Sequence, residues 1–213
     1  MAAPNEVMQS LKWLYETGRY SDLTIKCRTT TFKVHKAVLC PRSRFFKYMC
    51  ENEKLNELDL TSRFHPVAVR VLVFYMYHTS YPYISPDGDV SEEYKFTLGS
   101  RLTHHYRTLH IASFCEIVGL EKLALKEFEK QIEFDWDDLE FIEVTGMVYN
   151  SVLTRKQPVR EILVRMMMDH KDLLEKEEIN ALVVAHDHDL LHELLLELQK
   201  RNPWAPLVIC RFK

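Results

Sequence analysis

Leu23, Ile25 and Cys27 alternate with Thr24 and Lys26, and Phe32 and Val34 then alternate with Thr31 and Lys33. A period of two is the mark of a half-buried strand, because successive side chains leave a strand on opposite faces. Arg28 to Thr30 supply the turn, so residues 23–34 predict a hairpin with one face in a core. The period then changes. His35 to Cys40 read as a short helix stopped by Pro41, and Ser43 is placed to cap a second helix whose core face holds Phe46, Met49 and Cys50. A sheet that passes at once into capped helices requires a mixed α and β layer.

The flanking segments extend this reading. Val7, Met8, Leu11, Leu14 and Tyr15 recur at helical spacing ahead of Gly18. Leu58 and Leu60 flank Asp59 in a third short strand, and His65-Pro66 opens a helix bearing Val67, Val71, Leu72, Tyr75 and Met76. Residues 84–100, with Pro86-Asp87-Gly88-Asp89, read as a surface loop. Everything beyond is helical in pattern. Leu102, Tyr106, Leu109 and Phe114 begin it, and Leu120, Leu123, Ala124 and Phe128 continue it after a break expected at Gly119. Asp135 or Asp137 is expected to cap a helix carrying Phe141, Val144 and Val148. A linker is expected near Ser151 to Gln157, before Ile162, Leu163, Met166 and Met167, and one Leu-rich helix is expected over Leu182 to Leu198. The expected class is α+β over roughly the first 80 residues and all-helical afterwards.

Composition excludes several functions. The 213 residues carry a net charge of −3, with no basic excess suited to nucleic acid or an anionic membrane surface. No run of 18 apolar residues and no N-terminal apolar signal region is present. Cys27, Cys40, Cys50, Cys115 and Cys210 form no CxxC pair and are odd in number, which predicts reduced thiols in the cytoplasm or nucleus. Five glycines leave little room for a phosphate loop, and neither a dinucleotide pattern nor a nucleophile elbow occurs. No enzyme activity and no cofactor are expected.

Taken in order, Ser21-Asp22-Leu23-Thr24-Ile25, Phe32-x-Val34-His35-Lys36-x-x-Leu39 and Arg42-Ser43-x-x-Phe46-x-x-Met49 resemble the core of the BTB/POZ domain. Leu72, Tyr75, Tyr77 and Thr79-Ser80-Tyr81 resemble that family's next segment, and Leu120-Glu121-x-Leu123-Ala124-x-x-x-Phe128 its last helix pair. The resemblance covers about residues 8–132 and implies a BTB/POZ fold, a small sheet flanked by a helix cluster. The expected domains are residues 1–132, with the N-terminal helix, and a helical extension over 133–213. It further implies an interaction module that forms a homodimer or hetero-oligomer and holds an unidentified client protein.

The resemblance places Asp22 and Lys36 at the acidic and basic positions that line a charged pocket near the dimer contact. Val7, Leu11 and Leu14 form the stripe of the N-terminal helix that either covers its own core or crosses to a partner. Trp13 falls outside that stripe, as an interface aromatic would. Adaptors for cullin-based ubiquitin ligases carry a hydrophobic-x-Glu motif after the Ser-x-x-Phe helix. Ungapped alignment puts Lys54-Leu55-Asn56 there, and a one-residue slip puts Leu55-Asn56-Glu57, with Leu55 and Glu57 as the cullin-binding candidates. The alternative class is an oligomerisation or transcription-linked scaffold with no ligase link.

A remote alternative is a metal-dependent enzyme. His186-Asp187-His188-Asp189 and His192-Glu193 place His188 and His192 at i, i+4, but without a third placed ligand they read as a polar, solvated helix face. His104, His105, His110 and Cys115 are read the same way. His35 is expected to be a satisfied core histidine, Met166-Met167-Met168 to be helix core, and Glu175 to Glu178 a solvated helix end.

Overall fold

A computed structural model describes residues 4–81, 101–134, 138–154 and 158–202. The chain divides into two compact units, Met1–Phe134 and Asp135–Lys213.

In the first unit the predicted hairpin is present as β1 (Leu23–Cys27) and β2 (Thr30–Val34), paired antiparallel with Ile25 opposite Phe32. The turn is tight because Arg28 takes a left-handed φ of 52°. β3 (Glu57–Asp59) pairs parallel to β1, with Leu58 beside Ile25, so the strand order is β2-β1-β3. The alternation does what it predicts: Leu23, Ile25 and Cys27 are buried, and Thr24 and Lys26 are half-exposed.

Helix α1 (Pro4–Thr17) ends where Gly18 adopts a φ of 59° and its N–H returns to the Leu14 carbonyl. Between β2 and the next helix the chain makes α2 (Lys36–Leu39) and then a 3₁₀ turn, Cys40–Arg42. Pro41 therefore tightens the helix end and lies within the turn. The predicted Ser43 cap is present, its hydroxyl accepting the Phe46 N–H at 3.2 Å at the start of α3 (Arg44–Asn52). The same hydroxyl donates to the Cys115 carbonyl at 2.6 Å, which ties α3 to the far side of the unit.

Helix α4 (Pro66–His78) starts with Pro at its first position and is buried nearly all round, with Val69, Val71, Leu72, Met76 and Tyr77 in the core. Helices α5 (Arg101–Phe114) and α6 (Val118–Phe134) complete the unit. The break between them is not at Gly119. Helix α5 ends through Cys115 to Ile117, where Glu116 takes a φ of 53°, and Gly119 lies inside the first turn of α6. A Cβ at position 119 would collide with the Tyr75 hydroxyl, so the glycine serves a close helix approach.

The second unit is helical throughout its described residues: α7 (Asp138–Asn150), α8 (Pro158–Asp169), α9 (Glu177–Ala185) and α10 (His192–Arg201). Two 3₁₀ turns, Val152–Thr154 and Lys171–Glu175, join the first three. Phe141, Val144, Val148, Ile162, Leu163 and Met167 are buried as their spacing predicts, and Met166 with them. The single helix expected over Leu182 to Leu198 is instead two helices joined by a π turn, Asp187–Leu191. Helix α9 closes where His186 leaves helical geometry, and the His186 carbonyl then accepts from both Asp189 and Leu190. Leu190 and Leu194, one turn apart, are both buried. Glu177 and Glu178 stand in the first turn of α9, where acidic side chains suit the helix dipole. The expected loop over 84–100 and the caps at Asp135 and Asp137 lie outside the described residues.

Candidate protein-interaction surface

The sheet's edge and the start of α2 are held together by one acidic side chain. The N-cap residue of α2, His35, makes no side-chain cap hydrogen bond. Asp22, just ahead of β1, provides it instead: its Oδ1 accepts the Lys36 N–H at 2.7 Å. The Lys36 ammonium in turn donates to the Asn56 side-chain oxygen at 2.8 Å, and the Asn56 carbonyl accepts the Thr24 N–H at 2.9 Å. Asp22 and Lys36 are thus brought together through backbone capping rather than as an ion pair, along a rim that ends at Asn56.

His35 is buried and fully engaged. Its Nε2 lies 2.6 Å from the Arg19 carbonyl, which only accepts, so Nε2 carries the proton. Nδ1 then accepts from the Tyr77 hydroxyl at 2.7 Å, and that oxygen also takes the His35 backbone N–H at 2.9 Å. Burial pushes the Tyr77 phenol up to about 12, so it remains a donor at any physiological pH.

The N-terminal helix is split in role. Leu11 and Leu14 pack on the core of their own unit, and Tyr15 sets its ring edge-on to Phe74 at 5.9 Å and to His78 at 5.0 Å. Val7 and Trp13 stay outside, 54% and 42% exposed. Trp13 stands 6.4 Å from the Tyr20 ring, itself 82% exposed, and the Arg19 guanidinium lies 5.9 Å from the Trp13 ring centroid. Tyr20 holds a φ of 61°, a conformation costly for an aromatic residue, which aims its ring along α1. A shallow groove runs beside this cluster, lined by Glu6, Gln9, Ser10, Trp13, Leu14 and Tyr20. Sequence patterning points to Trp13 but not to Tyr20 or Arg19, which lie beyond the helix and join it only through the turn at Gly18.

After α3, Leu55 is half-buried against the core, and Glu57 opens β3 exposed, its carboxylate 2.7 Å from the Lys26 ammonium. The two candidates are therefore adjacent but differently committed, one to packing and one to the surface.

The histidines of α5 are not solvated as expected. His104 and His105 are both buried, and burial depresses them to about 4 and about 3. His105 Nδ1 meets the Tyr81 hydroxyl at 2.7 Å, whereas neither ring nitrogen of His104 has a partner among the described residues. Cys115 is fully buried, which raises its thiol. Their apolar setting comes from α4 and α6 packing on both sides of α5, which no spacing within α5 announces.

In the second unit Asp189 and Glu193 of the His186–Glu193 stretch belong to an arginine. Arg160, 4% exposed, donates from Nη1 to Asp189 at 3.0 Å and to Glu193 at 3.1 Å, and its guanidinium lies 4.4 Å from the Tyr149 ring centroid. Tyr149 donates to Glu193 at 2.6 Å. No cluster of three or more metal-ligating side chains occurs among the described residues, and the side chains of Asp187 and His188 lie outside them. Likewise, no described helix is long and apolar enough to cross a membrane.

A three-stranded sheet, a capped helix pair, a buried central helix and an N-terminal helix carrying exposed aromatics make up the first unit. Residues 11–91 match the family model of the BTB/POZ domain, and the chain carries a BTB/POZ domain in its first unit, followed by a helical region. Solved structures similar to it include the BTB domain of zebrafish PATZ1, at 17% identity over 59% of this chain and 90% of that one, with a TM-score of 0.45. The BTB (Tramtrack and Bric a brac) domain of human gigaxonin is similar at 13% identity over 59% and 93%, with a TM-score of 0.41. The BTB/POZ domain is a protein-interaction and oligomerisation module.

Proposed function

We propose that this protein is a non-enzymatic interaction module that pairs with a second copy of itself through the exposed side of α1 and the adjoining turn. The Trp13–Arg19–Tyr20 cluster carries the reading. Two exposed rings beside a helix whose other face is anchored by Leu11 and Leu14 form a rigid apolar patch with a cationic edge. Buried aromatic surface supplies affinity at such contacts, and the nearby Glu6, Arg19, Asp22 and Lys36 supply charge selectivity. The four described cysteines are free, in keeping with a cytoplasmic or nuclear setting. Light-scattering mass on the full chain at tens of micromolar is the test. A dimer that Trp13→Ala/Tyr20→Ala converts to monomer supports the proposal, and a wild-type monomer defeats it.

The exposed carboxylate of Glu57, following the α3 helix end, favours a second use of the same unit. In this reading Leu55-Asn56-Glu57 engages a cullin scaffold while the helical unit holds a client. Binding would have to draw Leu55 from its partial packing and Glu57 from Lys26. Pull-down with a cullin scaffold decides it: capture lost in Leu55→Ala/Glu57→Ala supports the adaptor. No capture leaves a scaffold without a ligase link, and capture indifferent to the change removes Leu55-Asn56-Glu57 from the account.

A further inference from the structure

Cys40 begins the 3₁₀ turn between α2 and α3, and Cys50 lies in the last part of α3. The Cys40 thiol sits 3.7 Å from the Phe46 carbonyl. In a helix that carbonyl is the acceptor for the N–H four residues on, which is Cys50. A helical side chain leans back toward the preceding turn, so the Cys50 sulfur overlies the turn on which Cys40 rests. Burial, together with the neighbouring Cys50 thiol, pushes the Cys40 thiol up to about 11. Both residues are part-exposed, unlike Cys27 and Cys115, which are buried. Nothing in the interaction function uses this pair.

We propose that Cys40 and Cys50 form a reversible intrachain disulfide, a modification site for hydroperoxide oxidants on the helix pair that precedes the Leu55–Glu57 segment. The first sulfur attacks the terminal peroxide oxygen as a thiolate, breaking the O–O bond. It becomes a sulfenic acid, and the departing oxygen takes a proton and leaves as water when hydrogen peroxide is the oxidant. The second sulfur attacks the sulfenic sulfur and expels the hydroxyl, which leaves with the second thiol's proton as another water. Two thiols lose two electrons and two protons, and the peroxide is reduced to two waters. The bond pins the 3₁₀ turn to the end of α3, and a dithiol reductant reverses it.

The test is peptide mapping by mass spectrometry of the full native chain, treated with equimolar hydrogen peroxide and then alkylated. The expected product is a Cys40–Cys50 cross-link lacking two hydrogens, with Cys27 and Cys115 alkylated only after unfolding and the cross-link lost on adding dithiothreitol. Cys210→Ser is run in parallel and should leave the cross-link unchanged. The same oxidation in urea should scatter the pairing, which shows that the fold directs it. Sulfinic acid on one cysteine without a bridge, or bridges to Cys27, Cys115, Cys210 or a second chain in place of Cys40–Cys50, would overturn the proposal.

Discussion

The Asp22 carboxylate caps the helix that starts at Lys36, Oδ1 to backbone N–H at 2.7 Å, across 14 residues and an entire hairpin. The helix it caps has only four residues and cannot persist alone. Tertiary capping is what joins the sheet to the helix layer at this corner.

Asp22→Ala should therefore destabilise the first unit by about 1 kcal/mol, the ordinary worth of a cap. Asp22→Asn keeps an acceptor and should cost less. Urea unfolding followed by circular dichroism measures both, and equal losses for the two variants would argue against the cap.

Gly119→Ala puts a methyl group into the Tyr75 hydroxyl. A loss of about 1–3 kcal/mol is expected from overpacking. Tyr75→Phe removes the oxygen being struck, so the double variant should be more stable than the sum of the singles. Additivity in that cycle would show that the strain lies elsewhere.

Low pH should weaken the first unit through α5. His104 and His105 ionise near 6.5 when unfolded but only at about 4 and about 3 when folded. Desolvation is the main cause for both. For His105 the neighbouring His104, Arg101 and Lys130 add to it, and for His104 Arg107 adds. Between these values the unfolded chain binds more protons, so stability is full above 6.5 and falls as pH drops toward 4. The slope can reach about 1.4 kcal/mol per pH unit for each histidine. Urea midpoints taken at intervals from about pH 7.5 down to about pH 4.5 cover most of this titration and should decline below about pH 6.5. His104→Leu should flatten the decline.

Arg160→Met should unfold the second unit more readily by about 3 kcal/mol, because it removes the buried cation that bridges Asp189 and Glu193 and lies over the Tyr149 ring. Adding Glu193→Gln and Asp189→Asn should recover part of the loss. Thermal unfolding that is unchanged by Arg160→Met would remove the arginine from the account of this unit.

What the sequence makes legible is whatever depends on neighbours along the chain. The β1–β2 alternation, the Ser43 cap and Pro66 at a helix start are all local, and each appears as expected. Gly119 misleads because its role is set by Tyr75 in another helix, while the true break is marked only by Glu116 in a left-handed conformation. The Leu182 to Leu198 run keeps an unbroken apolar pattern, yet the chain leaves helical geometry at His186 and passes through a π turn that no spacing marks. The site divides in the same way: Trp13 stands out from its helical stripe, whereas Tyr20 and Arg19 join it only through the chain reversal at Gly18.

The position of β1 between a sequence neighbour and a distant strand sets the order in which the first unit can assemble. The β1–β2 hairpin closes within a few residues and can form in about 1–10 μs. The ladder that sets Leu58 beside Ile25 must wait until the chain through α2 and α3 has folded back. Leu55 precedes that late ladder and Glu57 opens it, so the edge proposed to meet a scaffold is among the last parts of the sheet to exist on a newly made chain, and a nascent molecule cannot display it before its helix pair is in place.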